Sequence, residues 1–158
     1  MGKVLKTFQH GYPGAISRSM DDVVEAFPNK STGALAFGVP VALSTDKTGI
    51  VPFEGGTHAA ADFVGVTVRN PSKTPAVYGS NEASYAKDEM VDVLVRGHIV
   101  VDMEGSPARG AVVAIKTLDG KFTTGNGTGL IALTNVHVAA PADTYGRAEI
   151  VLNTRNKV

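Results

Sequence analysis

The side chains that could perform acid–base or metal chemistry near neutral pH are four histidines, His10, His58, His98 and His137. Histidine is the side chain whose ordinary pKa lies in this range, and it is also the commonest metal ligand. No two of them have the i, i+4 spacing that places both zinc-binding histidines of a metalloprotease on one helix face. Distant histidines could still meet in the fold, but scattered histidines in a β-rich chain are usually structural. We therefore predict no metal site.

Serine supplies the candidate nucleophiles, since the chain contains no cysteine. None of them lies in the Gly-x-Ser-x-Gly motif that exposes a hydrolase nucleophile on a sharp strand-to-helix turn; they are Ser17, Ser44, Ser84 and Ser106. The lack of cysteine also excludes disulfides and thiolate zinc sites. The sequence therefore predicts no catalytic residue and no enzyme, and a small hydrolase is a disfavoured alternative.

Two further patterns could suggest anion or proton chemistry. The glycine-rich run Gly125–Gly129 has the composition of a phosphate-binding loop, but it lacks the Gly-Lys-Ser/Thr ending and precedes a β-like run rather than a helix. The adjacent carboxyls of Asp21 and Asp22 are better explained as residues that favour a helix N-terminus. We therefore expect Gly125–Gly129 to form a flexible loop, and Asp21 and Asp22 to lie at the start of a helix. We expect no cofactor.

The charge balance restricts the partners. The 158 residues include 15 Lys or Arg and 15 Asp or Glu, so no global field draws the chain to nucleic acid or an anionic membrane. No window approaches the roughly 20 apolar residues of a membrane span, and no signal peptide is visible. We therefore expect a soluble protein that is made in a cytoplasm and binds neither nucleic acid nor a membrane. The arginines are scattered, and isolated arginines can still anchor protein interfaces; they include Arg18, Arg69, Arg96, Arg109 and Arg147.

The elements that would position any site are short β-strands. Runs rich in Val, Ile, Leu, Phe and Thr alternate with Gly, Pro, Asn or Asp, which is typical of an all-β domain. The Asp119-Gly120 pair predicts a hairpin whose two turn residues both have positive φ. The predicted strands are Ala34–Leu43, Phe63–Val68, Met90–Val95, Ile99–Met103, Ala111–Leu118, Lys121–Thr124, Leu130–Val136 and Ala148–Asn153.

The first 30 residues carry different signals. Ser19 is a candidate N-cap, Val23, Val24 and Phe27 are apolar, and Pro28 would end a short helix. Before it, the glycines and proline of residues 11–14 interrupt regular structure, which predicts an extended arm. We therefore expect residues 1–30 to form an arm and one short helix, and residues 31–158 to form a single compact β-barrel or sandwich domain.

Several stretches, taken in order, resemble the head decoration or structural cement proteins of tailed bacteriophages. Residues 11–18 resemble the family's glycine-bounded arm, and residues 36–41 its opening strand. Residues 63–69 resemble a Phe-x-Gly-Val-x-x-Arg strand, residues 85–101 a hairpin with Gly97 at a tight connection, and residues 148–152 the closing strand.

This resemblance implies a structural virion protein that binds the outside of a bacteriophage capsid and stabilises contacts between major capsid subunits. It implies the major capsid protein as partner, self-association as a homodimer or homotrimer, and synthesis in the host bacterial cytoplasm. We expect the arm, residues 1 to about 18, to be loosely held in the isolated protein and ordered across a neighbouring subunit. Its expected capsid or subunit contacts are Tyr12, Ile16 and Arg18.

The alternative from a different class is a β-sandwich glycan- or ligand-binding module of a phage tail or cell surface. Such modules usually stack sugars on exposed aromatic rings. The chain has no Trp and only 6% aromatic residues, which counts against this alternative.

Overall fold

The computed structural model describes residues 9–73 and 83–155, and their regular structure is almost entirely β. One short 3-10 turn, Ala60–Asp62, is the exception within these ranges. No helix in the described part of the chain is long and apolar enough to cross a membrane. The strands are β1 Ile16–Pro28, β2 Leu35–Ala36, β3 Pro40–Leu43, β4 Ile50–Pro52, β5 Phe63–Thr67, β6 Ser84–Tyr85, β7 Met90–Asp102, β8 Val112–Lys116, β9 Phe122–Thr124, β10 Leu130–Ala140 and β11 Arg147–Leu152.

Nine strands form one antiparallel sheet that curls into a half-barrel, which confirms the all-β prediction. Its order is β4-β3-β5-β7-β11-β10-β8-β9, and β1 pairs with the opposite edge of β7. Leu94 of β7 shows this arrangement, because it pairs with Val66 on one side and Val24 on the other. Strands β2 and β6 form a separate two-stranded sheet.

Strand β7 contributes side chains to both hydrophobic cores. In a regular strand, side chains point alternately to the two faces, so all odd-numbered residues share one face. Val93 and Val95 nevertheless pack in a core with Leu35, Phe37 and Tyr85, whereas the odd-numbered Ile99 and Val101 pack in the larger core with Phe63, Phe122 and Ile150. The face therefore changes between residues 95 and 99.

Gly97 is the position at which this change occurs. Its φ is +121°, a conformation that favours glycine, and the pairing of β7 with β1 is irregular beside it. A Cβ at position 97 would lie 2.3 Å from Oδ1 of Asp22, so only glycine fits. The predicted hairpin with Gly97 at its connection is thus wrong, because Met90–Val95 and Ile99–Met103 join into one bulged strand.

The predicted helix ending at Pro28 is also wrong, because this segment belongs to β1. Its residues 24–28 pair one for one with residues 94–90 of β7, and a register shift separates them from the pair of Val23 with Arg96. Helix capping is worth about 1 kcal/mol, and β-branched Val23 and Val24 favour a strand. Tertiary pairing therefore outweighs the local helix signals, and Asp21 bonds Arg96 Nη2 at 2.8 Å instead of capping a helix.

The other strand predictions differ mainly in their bounds. Ala34–Leu43 divides into β2 and β3 at Gly38, which has a φ of +71°. The hairpin of β8 and β9 is confirmed, but its turn is not the predicted two-residue type. Gly120 has a φ of +67°, whereas Asp119 does not have positive φ. Four residues separate the paired Lys116 and Lys121, whose backbone N–H and C=O meet at 2.9 Å.

We expect Gly120→Val to lower the free energy of unfolding by about 2 kcal/mol, because a β-branched residue is penalised at positive φ. A Cβ there would also approach the backbone oxygen of Phe53 to 2.9 Å. Gly127→Val is the matched control, since Gly127 does not have positive φ and has open space around it. Urea unfolding should show the larger loss for Gly120→Val, and an unchanged midpoint for that variant would contradict this account of the turn.

Candidate functional site

The N-terminal segment lies on its own sheet from residue 10 onward. The Gly14 N–H donates to the Val100 oxygen at 2.8 Å, and the Val100 N–H donates to the Ala15 oxygen at 3.0 Å. The Arg69 N–H donates to the Gly14 oxygen at 2.7 Å. The expectation of a loosely held arm is therefore wrong for residues 10–18, and residues 1–8 lie outside the described part of the chain.

Two glycines make this close crossing feasible. Gly14 has a φ of +80°, and its backbone lies against Gly38, where the chain turns between β2 and β3. A Cβ on Gly38 would lie 2.7 Å from the Gly14 nitrogen, and one on Gly14 would lie 2.9 Å from the Arg69 nitrogen. Any side chain at either position would push the N-terminal segment away from the sheet.

The crossing places Tyr12 between two arginines. Arg69 Cζ lies 4.8 Å from the centroid of the Tyr12 ring, and Arg147 Cζ lies 5.2 Å from the same centroid. Each arginine also contacts a second ring: Arg69 lies 5.4 Å from that of Phe37, and Arg147 lies 5.5 Å from that of Tyr145. We call the alternating set Phe37, Arg69, Tyr12, Arg147 and Tyr145 the arginine–tyrosine stack.

Arg147 is also fixed by polar contacts. Its Nη1 donates to the Gly11 oxygen at 2.9 Å, and its Nε lies 3.6 Å from Oδ1 of Asp102. Asp143 lies in the loop between β10 and β11, residues 141–146. Its carboxylate accepts backbone N–H bonds from His10, Tyr145 and Arg147. Burial raises the pKa of Asp143, but these bonds outweigh it and leave the pKa below the usual value. The loop and the N-terminal segment thus hold one another.

The three predicted contact residues have different environments. Tyr12 is 43% exposed, so its ring is open to a partner. Ile16 is half-buried against the larger core. Arg18 Nε donates to Oε1 of Glu149 at 2.8 Å, and Glu149 itself is only 5% exposed. Ile16 and Arg18 thus connect the N-terminal segment to its own sheet.

Sequence reasoning missed the stack as a unit. Arg69 and Arg147 are among the scattered arginines, but 57 and 135 positions from Tyr12 no spacing pattern joins them. Among residues 9–73 and 83–155, no three His, Asp or Glu side chains are grouped to hold a metal ion. The candidate nucleophile Ser17 donates to Oε1 of Glu149 at 2.8 Å.

The Glu149 contact predicts a pH dependence. Burial raises the pKa of Glu149, but hydrogen bonds from Arg18 and Ser17 outweigh it and leave the pKa below the usual 4.5. The carboxylate therefore stabilises the fold above pH 4.5, and this contribution is lost as the pH falls through the lowered pKa. Because Arg18 is largely exposed, we expect Glu149→Gln to cost about 1–2 kcal/mol at pH 7.

Denaturant unfolding of the wild type and E149Q between pH 7 and pH 3 measures this effect. The difference should shrink below pH 4.5, the usual glutamate value. Glu54→Gln is the control, because Glu54 is exposed and forms no ion pair within the described ranges. A constant difference across the range would show that the Glu149 charge does not stabilise the fold.

Comparisons with known proteins identify a family for this sequence and a solved structure with a similar fold. A model of the family described as structural cement protein (E217 gp24/Pam3 gp6) matches residues 3–153. A chain of the solved structure "The capsid of Myoviridae Phage XM1" is 18% identical, with a TM-score of 0.76 over 97% of this chain and 96% of that one. At this identity the likeness shows a shared fold. A search of curated protein sequences finds no significant match.

The match to the family model extends over every strand from β1 to β11 and over all five residues of the arginine–tyrosine stack. It agrees with the resemblance found in the sequence. The chain therefore belongs to the structural cement protein family.

Proposed function

We propose that this protein binds the outer surface of a bacteriophage capsid and stabilises contacts between major capsid subunits. The observation that carries the proposal is the family match over residues 3–153. The shared fold with a chain of a phage capsid structure supports it. The protein would be made in the host bacterial cytoplasm and reside on the virion exterior, with a structural rather than enzymatic role.

Binding alone can provide the stabilisation. A ligand that binds only the assembled state stabilises that state by mass action. A protein placed across two shell subunits adds interface area to both, and a standard interface needs roughly 1,200–2,000 Å². Many equivalent sites on one particle multiply the effect. No observation favours the glycan-binding alternative, and both exposed rings of the stack, Tyr12 and Tyr145, have an arginine against them.

Tyr12 is the residue of the predicted set that we propose touches the shell directly. It is exposed, and flanking arginines hold it in place. Tyrosine and arginine are enriched among residues that dominate interface energies. We propose that Ile16 and Arg18 act on the same interface by fixing the N-terminal segment beneath Tyr12.

We also propose self-association as a homodimer or homotrimer through β1. The outer edge of β1 pairs with no other strand in the part of the chain that the structure describes. Exposed apolar side chains lie along it, with Met20 fully exposed and Val23 and Val24 more than a third exposed. Natural proteins usually protect such an edge, and pairing with another copy is one way to do so.

The binding proposal predicts that purified protein added to empty shells lacking it will raise the temperature at which the shells come apart. Tyr12→Ala should weaken shell binding about tenfold, the order expected for a tyrosine hot spot. Leu118→Ala is the control, because Leu118 is 95% exposed and lies outside the stack. Co-sedimentation at graded protein concentrations measures both, and a wild-type protein that leaves the shells unbound would contradict the proposal.

The self-association proposal predicts a dimer or trimer mass by light scattering. Met20→Lys should shift this mass toward the monomer, since it places a charge on the apolar edge. Leu118→Lys, a like change at an exposed loop position, should leave the mass unchanged. A monomeric wild type, or equal masses for the wild type and M20K, would contradict a β1 interface.

A further inference from the structure

Arg69 differs from four of the other arginines because its charge has no carboxylate partner within the described ranges. Four arginines pair with carboxylates of this chain: Arg18 with Glu149, Arg96 with Asp21, Arg147 with Asp102 and Arg155 with Glu25. The Arg69 guanidinium forms no ion pair or side-chain hydrogen bond within residues 9–73 and 83–155. Its contacts are the rings of Tyr12 and Phe37.

The position of Arg69 makes this unpaired charge different from an ordinary surface arginine. The residue is half-buried, and its backbone N–H is bound to Gly14 at 2.7 Å. The guanidinium carries five N–H donors in its plane, and ring contacts to its charge use none of them as conventional hydrogen bonds. Arg69 is thus held in place with its hydrogen-bonding capacity unused by the described residues.

An open cleft lies beside this group. It has a volume of about 360 Å³ and is lined by Pro13, Phe37, Arg69 and Ser84 among others. Asp102 also borders the cleft, but its carboxylate lies 3.6 Å from Nε of Arg147, which offsets its charge. A segment of another protein could therefore bring an acceptor to Arg69 from this side.

We propose that Arg69 is a docking residue that receives an aspartate or glutamate side chain of the major capsid protein. The planar guanidinium edge matches a carboxylate through two parallel N–H bonds, which a lysine cannot reproduce. Tyr12 and Phe37 hold the guanidinium in place before the partner arrives, which lowers the entropy lost on binding. This inference rests on the proposed capsid binding and adds the chemistry of the contact.

Shell binding by Arg69 variants tests the contact. Arg69→Gln should weaken binding to empty shells about tenfold, and Arg69→Lys should weaken it less, because it keeps the charge but loses the paired bonds. Arg109→Gln is the matched control, since Arg109 is exposed and has no ion pair within the described ranges; it should bind as the wild type does. Thermal unfolding of each variant shows whether its fold is retained.

A carbodiimide experiment identifies the acceptor and decides the question even where R69Q fails to fold. This reagent joins an amine to a carboxylate that it touches, so the amine of R69K reports a neighbouring acidic side chain. Mass spectrometry of R69K bound to shells should find position 69 joined to an aspartate or glutamate of the major capsid protein. The same treatment of R109K should give no such product at position 109.

The outcomes separate the two proposals. If the wild type does not bind shells, capsid binding and the Arg69 contact both fail. If the wild type and R69Q bind equally, capsid binding stands and the Arg69 contact is wrong. Bound R69K with no product at position 69, or with a product on a molecule other than the capsid protein, would also overturn the contact.

Discussion

The backbone of β7 is the constraint on which the rest of this structure depends, because it is hydrogen-bonded along both edges and its side chains enter both cores. A strand in that position must send apolar side chains to both faces, and a regular alternation of 13 residues could not place Val95 and Val101 in different cores. Gly97 resolves the conflict with a φ of +121°, at a point where the pairing with β1 shifts register. The cost is that no side chain fits there, since Asp22 of β1 occupies the space a Cβ would need.

The arginine–tyrosine stack is a consequence of what pairs with β7. Arg69 follows the end of β5, Arg147 begins β11, and both strands pair with the same edge of β7. The N-terminal segment joins β7 through Val100 and brings Tyr12 between the two arginines. The arginine–tyrosine stack is therefore formed within the chain itself, on backbone that the sheet already fixes.

The sequence was sufficient for the fold class and for strands that carry their own pattern, such as β5, β8 and β11, because β-branched runs bounded by turn residues act locally. It was insufficient for β1, where capping residues favour a helix and only pairing with β7 decides otherwise. Tyr12 was predicted as a contact residue from its type. Its arginine neighbours were not, because contacts between residues 12, 69 and 147 depend on the whole sheet order.

Amide hydrogen exchange in the isolated protein tests the central claim, that the N-terminal segment is fixed to its own sheet, most directly. The N–H groups of Gly14 and Arg69 bond the Val100 and Gly14 oxygens at 2.8 and 2.7 Å. We predict that both exchange far more slowly than the exposed Gly11 amide, with protection approaching that of the β7 core. Exchange of Gly14 and Arg69 at the rate of an unstructured chain would contradict the account, because Tyr12 and Arg69 would then have no fixed position.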